Sequence, residues 1–193
     1  MIEIVPYRAR WAQEFAELGA QIRAAVGQSA QRIDHIGSTS VPGLASKDIL
    51  DLMLTVADLN VFDSLIPLLE PLRIEPELRI RSDHPQAGTQ LAPVEWEKRY
   101  FVRMPGYRDV HLHVRAAGRA NQRYALLFRD YLRAAPAAAQ AYANLKHQLA
   151  AYHGDSDDHA AYVEIKDPVC DIIMVGAEAW AASTRWTPGP SDA

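Results

Sequence analysis

The sequence predicts one α/β (α+β) domain in which a mixed β-sheet is flanked by helices and followed by a C-terminal helical segment. Apolar residues recur at helical spacing near the N-terminus and again after about residue 120, and short strand-like runs lie between these regions. The chain has 193 residues, 49% of them hydrophobic, which is enough for one substantial core. We therefore expect a single domain over residues 1–184 and a flexible tail over residues 185–193, which are rich in Pro, Gly and Ser.

The N-terminal segment has apolar residues at every third or fourth position: Trp11, Phe15, Leu18, Ile22 and Val26. This spacing predicts an amphipathic helix that ends near Gly27. Residues 32–36 then alternate polar and apolar, like a short half-buried strand. Residues 49–56 are almost continuously apolar, as is typical of a central strand covered on both faces, and Asp51 interrupts them.

The chain must turn at Gly37–Ser40, between these two strands. Ser40 and Pro42 fit the start of a short helix with Ser40 as the N-cap. A further helix is predicted around residues 61–69, although Pro67 lies inside its pattern. The turn and its short helix therefore lead directly into the strand that contains Asp51.

The second half of the sheet is predicted from two strands, residues 99–104 and 109–115, joined through Pro105-Gly106 as an antiparallel hairpin. Residues 82–93 before them have the composition of a loop. Apolar stripes at residues 124–132, 142–149 and from residue 162 predict three helices. We expect Asp167-Pro168 to end the third helix and to begin another that runs towards Trp180.

Charge and composition exclude several classes of protein. The net charge is −4 and no block of five Lys or Arg residues occurs, which argues against a general nucleic-acid binder. No run of eighteen apolar residues predicts a membrane span, and Glu3 lies where a secretory signal would be apolar. Cys170 is the single cysteine, so neither an intrachain disulfide nor a multi-thiolate metal site is expected. We predict a cytoplasmic protein.

Gly37 and Ser38 form the sharpest local motif, because they follow a strand and precede a short helix. A glycine lets the backbone approach a phosphate closely, and N–H groups at a helix start favour anions; a plain turn is the alternative interpretation. Asp51 lies within a buried strand, where a carboxylate is costly unless it binds a cation or accepts hydrogen bonds. It is a candidate metal ligand or general base, or alternatively a cap on a neighbouring turn.

His111 and His113 are two residues apart on a predicted strand, so both imidazoles point to one face and can share a ligand or metal. If the strands are neighbours, His35 lies at the mouth of the same cleft. Lys47 and Arg99 are candidates to neutralise a phosphate, with solvated surface positions as the alternative. These residues complete a candidate binding site.

The segment from His35 to Leu44, followed by Lys47 and Asp51, closely resembles the signature of the GrpB family. The resemblance extends over nearly the whole chain. Asp48 stands where the family typically has proline, which affects the local turn. Further matching positions are Pro6-Tyr7, Trp11, His111–Val114, Phe128–Arg133, Pro136, Tyr142, Lys146, Tyr162 and Lys166.

Membership implies a nucleotidyltransferase-like fold, because the family is assigned to the nucleotidyltransferase superfamily. Proteins of that superfamily have a Gly-Ser turn, two metal-binding carboxylates one residue apart and a third carboxylate on a later strand. Gly37 and Ser38 match the turn, with Thr39 beside them in substrate binding, and Asp51 matches the first carboxylate. Met53 stands where the second would lie, and methionine does not bind magnesium.

The resemblance thus implies a divalent metal, magnesium, manganese or zinc, on Asp51, His111 and His113, with Asp51 and His113 as the catalytic residues. Because two imidazoles stand where the superfamily has carboxylate oxygens, zinc or manganese fits this ligand set better than magnesium. One hypothesis is an enzyme that acts on a nucleotide or another phosphorylated small molecule. The alternative is a non-catalytic nucleotide- or coenzyme-binding module that has lost the two-metal clamp, and a purely structural protein is a third possibility.

Overall fold

The computed structural model describes residues 2–153 and 159–193, which form a five-stranded mixed sheet with helices on both faces. The strands lie in the order β1-β2-β5-β4-β3, and only β2 and β5 are parallel. The elements are α1 (Arg10–Val26), β1 (Arg32–Ile36), β2 (Leu50–Val56), α2 (Phe62–Leu69), β3 (Ile74–Pro76), β4 (Arg99–Arg103), β5 (Val110–Ala116), α3 (Ala120–Ala134), α4 (Pro136–His153) and α5 (His159–Thr184).

Alternation along β2 separates an apolar face of the sheet from a polar one. Leu50, Leu52 and Leu54 point to the face covered by α1 and α2 and are fully buried in the main core. Asp51 and Met53 point to the other face, where Met53 packs with Leu126 of α3. The predicted central strand is confirmed, and its interrupting carboxylate lies on the side of the C-terminal helices.

Helix α5 is continuous from His159 to Thr184, with Pro168 inside it. The prediction that Asp167-Pro168 ends one helix and begins another is therefore wrong. Proline removes one backbone donor from a helix, but a stripe of residues after it is buried against α3 and α4, and this packing holds the helix together. The stripe consists of Cys170, Met174, Ala177 and Ala181.

Residues at the C-terminal end of the chain lie beside β1, although the sequence predicts a flexible tail there. The Ser191 hydroxyl accepts a hydrogen bond from the Ile33 N–H at 2.8 Å, and the Ala193 N–H donates to the Ile33 carbonyl at 3.1 Å. Asp192 accepts bonds from the His35 N–H at 2.9 Å and from Arg129 at 2.7 Å. These bonds pair backbone N–H and C=O groups on the outer edge of β1. No periodicity in the sequence indicates this docking of the C-terminal residues.

None of the helices among the described residues is both long and apolar enough to cross a membrane.

Candidate functional site

The turn after β1 brings the backbone against Asp51. Gly37 has φ +66° and ψ −172°, a conformation that is essentially restricted to glycine. A Cβ at this position would lie 2.4 Å from the Asp51 Oδ2 atom, so the close approach also requires glycine. Residues Ser38–Ser40 form a single 3-10 turn. The predicted N-cap role of Ser40 is therefore wrong, since this residue ends the turn, and its hydroxyl donates to the Gly37 carbonyl at 2.6 Å.

Asp51, His111 and His113 meet on the polar face because β2 and β5 are parallel neighbours in register. Asp51 is paired with His111 and Met53 with His113. The Asp51 Oδ1 atom lies 3.3 Å from His111 Nδ1 and 3.6 Å from His113 Nε2. One oxygen and two nitrogens thus lie within 4.8 Å of one another. The structure brings together the three metal ligands predicted from the sequence.

This donor set fits a divalent metal of intermediate softness. One carboxylate and two imidazoles suit zinc or manganese, whereas magnesium prefers oxygen ligands and several waters. Met53 occupies the position that matches the second carboxylate of the superfamily. It is fully buried, and its sulfur accepts a hydrogen bond from Arg115 at 3.4 Å. The described residues therefore offer ligands for one metal at this position and not a two-carboxylate clamp.

The ionisation states of Asp51 and His113 suit metal binding near neutral pH. Burial alone would raise the pKa of Asp51, but hydrogen bonds from His111 and His113 outweigh it and hold this pKa well below its usual range. Burial lowers the pKa of His113 to about 4, so its imidazole is neutral at pH 7. A carboxylate and a neutral imidazole are the forms that bind metals.

Lys98 contacts the Nδ1 side of the His113 ring, whereas the Nε2 side faces Asp51. Its ammonium group lies 2.7 Å from Asp83 and 3.5 Å from the His113 Nδ1 atom. As an ammonium can only donate, this contact places the imidazole proton on Nε2, facing Asp51. To hold a metal through Nε2, His113 would need the other neutral tautomer, with its proton on Nδ1 and Lys98 bonded to Asp83.

A cavity of about 480 Å³ lies over this cluster, between the sheet and helices α3–α5. It is lined by four lysines that come from separate segments: Lys47, Lys98, Lys146 and Lys166. Lys146 is 3% exposed and donates to the Ser38 hydroxyl at 2.9 Å and to the Ala45 carbonyl. Burial lowers its pKa to about 7, and nearby Lys166 and Lys47 contribute in the same direction. A cavity with this lining is suited to an anionic ligand.

Six of the nine residues predicted for the site line the cavity: Gly37, Ser38, Lys47, Asp51, His111 and His113. The structure places the other three elsewhere. His35 pairs with Leu52 across β1 and β2, so its ring lies on the opposite face, stacked on Phe15 at 4.7 Å. Thr39 is buried and bonded to His35 at 3.0 Å. Arg99 lies over the Phe62 ring, also on the face of α1 and α2.

Several site residues carried no assigned role in the sequence-based prediction. Lys98 lies immediately before β4 and, one residue from Arg99, points to the other face, so the prediction selected a neighbouring cation on the wrong face. Lys146 lies on the same buried helical stripe as Tyr142 and Leu149, and a lysine on such a stripe is an available signal. Asp83 lies in a loop and accepts bonds from Arg115 at 2.9 and 3.1 Å. No sequence pattern indicates it.

The comparisons with known proteins agree with this architecture. A family model described as GrpB protein matches residues 1–175. The chain belongs to the GrpB family. A crystal structure of the conserved protein GrpB from Enterococcus faecalis superposes with a TM-score of 0.69 and 30% identity, over 92% of this chain and 99% of that one. Together with the mixed sheet, this match confirms the predicted α/β class and nucleotidyltransferase-like fold.

Curated GrpB relatives differ in length from this chain. The UPF0157 protein YqkA of Bacillus subtilis is 32% identical, over 93% of this chain and 48% of that protein. A protein named dephospho-CoA kinase from Mycolicibacterium paratuberculosis is 33% identical, over 97% of this chain and 48% of that protein. The chain thus spans about half the length of these two relatives. It covers 86% of a UPF0157 protein of Streptomyces coelicolor, at 36% identity.

Proposed function

We propose that this GrpB protein binds a nucleotide or another phosphorylated small molecule in the cavity over Asp51, together with one divalent metal. A single observation supports the proposal: four lysines and a carboxylate-imidazole cluster face one cavity of about 480 Å³. The lysines supply donors for phosphate oxygens, and the cluster supplies metal ligands. The site is a cleft between the sheet and the C-terminal helices, as expected for a small-molecule ligand and not for a nucleic acid.

In the catalytic form of the proposal, Asp51, His111 and His113 hold the metal, which when bound neutralises phosphate charge. Ser38 and Lys146 position the phosphate, and Lys47 neutralises it from the loop before β2. Asp51 and His113 are the residues whose loss would abolish turnover. The proposal includes a cytoplasmic location, which the single buried thiol of Cys170 suits.

A non-catalytic binding module is the second candidate, and Met53 favours it. In-line nucleotidyl transfer with two metals needs a second carboxylate to hold both the attacking and the leaving oxygen. Met53 is fully buried at that position and cannot supply one. In this form the protein reports the presence of a ligand. The mycobacterial relatives named dephospho-CoA kinase direct the search to coenzyme A precursors as well as nucleotides.

The test is a thermal-shift screen against nucleotides and coenzyme A precursors, with magnesium, manganese, zinc or chelator, followed by calorimetry. Asp51→Asn removes one of the three metal ligands and should lower metal affinity at least tenfold. Asp63→Asn on the exposed side of α2 is the matched control and should bind as wild type does. Ligand binding that needs metal and Asp51 supports the metal-dependent form. Binding that ignores both identifies the non-catalytic module, and failure of every phosphorylated compound to bind would refute the proposal.

A further inference from the structure

Lys146 is the most deeply buried of the four lysines at the cavity, with 3% of its surface exposed. Its nitrogen bonds to two uncharged oxygens, the Ser38 hydroxyl at 2.9 Å and the Ala45 carbonyl. Lys98 is paired with the Asp83 carboxylate, whereas no described carboxylate forms an ion pair with Lys146. A buried ammonium group is costly when neither water nor a counter-charge compensates it. This environment therefore favours the neutral amine of Lys146 more than an exposed position would.

The titratable groups around Lys146 act in both directions on its pKa. They are Lys47, Asp51, Tyr142, Lys166 and Cys170. Burial is the main cause that lowers the pKa of Lys146 to about 7; the two lysines contribute in the same direction, and the thiol and the carboxylate oppose them. At pH 7 roughly half of the molecules therefore carry a neutral Lys146 amine.

Ser38 is placed to use this amine. It is half-buried, lines the cavity and begins the turn after β1, next to the Gly37 that lies against Asp51. A neutral amine has two N–H groups and one lone pair. The Ala45 carbonyl still accepts one N–H, and the lone pair accepts the Ser38 hydroxyl proton across the same 2.9 Å contact. This is the arrangement of a nucleophile and its general base.

We propose that Ser38 is a nucleophile with Lys146 as its general base, and that this serine-lysine pair attacks phosphorus in a phosphoanhydride ligand. The inference rests on the proposed function and deepens it, because it assigns a reaction to the phosphate group. The Ser38 Oγ atom forms a bond to phosphorus, the bond from phosphorus to the bridging oxygen breaks, and that oxygen leaves with the electron pair. The hydroxyl proton passes to Lys146 Nζ, and the ammonium then protonates the leaving oxygen.

The product of this step is a phosphoester on Ser38, which is phosphoryl or nucleotidyl according to the phosphorus that is attacked. Water or an acceptor hydroxyl completes the cycle by forming its own bond to phosphorus while the bond to Oγ breaks. Lys146, neutral again, takes the proton of the attacking group and returns it to Oγ. The sequence of steps needs no oxidant or reductant.

The test uses a probe that reports an activated serine whatever the natural ligand is. Diisopropyl fluorophosphate is uncharged and small relative to a cavity of about 480 Å³, and a serine that attacks it forms an O–P bond and releases fluoride. Mass spectrometry of the full chain measures the labelling rate, and peptide mapping identifies the labelled residue. Ser38→Ala removes the nucleophile and Lys146→Met removes the base. Ser46→Ala is the matched control, since Ser46 lines the same cavity and no described lysine bonds to its hydroxyl.

Wild type should be labelled on Ser38, at a rate that rises about tenfold per pH unit below pH 7 and levels off above it. Lys146→Met should slow labelling at pH 7 about 100-fold and remove this pH dependence, and Ser46→Ala should behave as wild type. Melting temperatures verify folding, and the wild-type pH profile tests the pair even where Lys146→Met does not fold. An unlabelled Ser38, or a rate and pH profile that survive Lys146→Met, would refute the serine-lysine pair.

Incubation with ATP then identifies the group that is transferred, because the mass added to Ser38 distinguishes a phosphoryl from a nucleotidyl adduct. The outcomes also separate this inference from the proposed function. Binding of nucleotides or coenzyme A precursors without labelling of Ser38 would refute the pair and leave the proposed function standing. Labelling of Ser38 in a protein that binds no phosphorylated compound would support the pair and refute the proposed function.

Discussion

Gly37→Ala should destabilise the protein strongly, because Gly37 combines a glycine-only backbone conformation with direct contact to Asp51. The conformation at φ +66°, ψ −172° costs about 2 kcal/mol for alanine. The new Cβ would also lie 2.4 Å from the Asp51 Oδ2 and 2.9 Å from its Cγ, and relieving this overlap costs roughly 1–2 kcal/mol more. The sum is about 3–4 kcal/mol, or roughly 10 °C in melting temperature for a chain of this length.

The natural control is Gly43→Ala in the same turn region. Gly43 has φ +82°, but a Cβ there meets nothing within 4 Å. Gly43→Ala should lower the free energy of unfolding by about 1 kcal/mol, a difference that urea denaturation with a common m-value resolves. The contact itself is tested by repeating Gly37→Ala in an Asp51→Ala background, where the substitution should cost less because Oδ2 and Cγ are gone. Equal losses at Gly37 and Gly43, or no coupling to Asp51, would refute the reasoning.

Two further predictions concern β1. Burial lowers the pKa of His35 to about 4, so between pH 6.5 and 4 the unfolded chain takes up a proton that the folded protein does not. His35 should therefore lower the free energy of unfolding by up to about 3 kcal/mol as the pH drops through this window. Since burial also lowers the pKa of His113 to about 4, in urea titrations His35→Gln should remove only about half of the combined slope, and an unchanged slope would contradict the assignment. Asp192→Ala should cost about 2 kcal/mol in calorimetric melts, because it removes the acceptor of two hydrogen bonds, one from the buried Arg129 guanidinium at 2.7 Å, which keeps Asp130, and one from the His35 N–H at 2.9 Å. No change in melting temperature would show that the tail does not dock on β1.

The sequence was sufficient for most of the fold because its patterns report burial. The leucines of β2 and the stripe of α1 show which faces are covered, and the hairpin of β4 and β5 follows from Pro105-Gly106. It was insufficient where packing overrides a local signal. Pro168 predicts a helix end, but the buried residues that follow it pack against α3 and α4 and keep α5 continuous.

The candidate site was predicted to the extent that strand register determines it. His111 and His113 share a face because positions two apart on a strand do, and Asp51 joins them because it is paired with His111 between β2 and β5. The same rule excludes His35, whose neighbour Ile36 is the residue paired with Asp51. The residues of β1 that share a face with Asp51 are set by the register of β1 against β2, which depends on the turn between the strands. Local sequence patterns do not determine that register. Lys98 and Asp83 lie in irregular segments, where no period exists to indicate them.

The four lysines around the cavity belong to two bodies that must pack together. Lys47 and Lys98 lie next to strands of the sheet, whereas Lys146 and Lys166 lie on α4 and α5. Lys98 is paired with Asp83 and Lys166 with Asp167, so the repulsion that opposes docking of the C-terminal helices on the sheet is mainly that of Lys47 with Lys146 and Lys166. A bound anion turns the same charges into attractions across the interface. On the proposed function, ligand binding and the docking of the helices are linked, so added ligand should raise the free energy of unfolding.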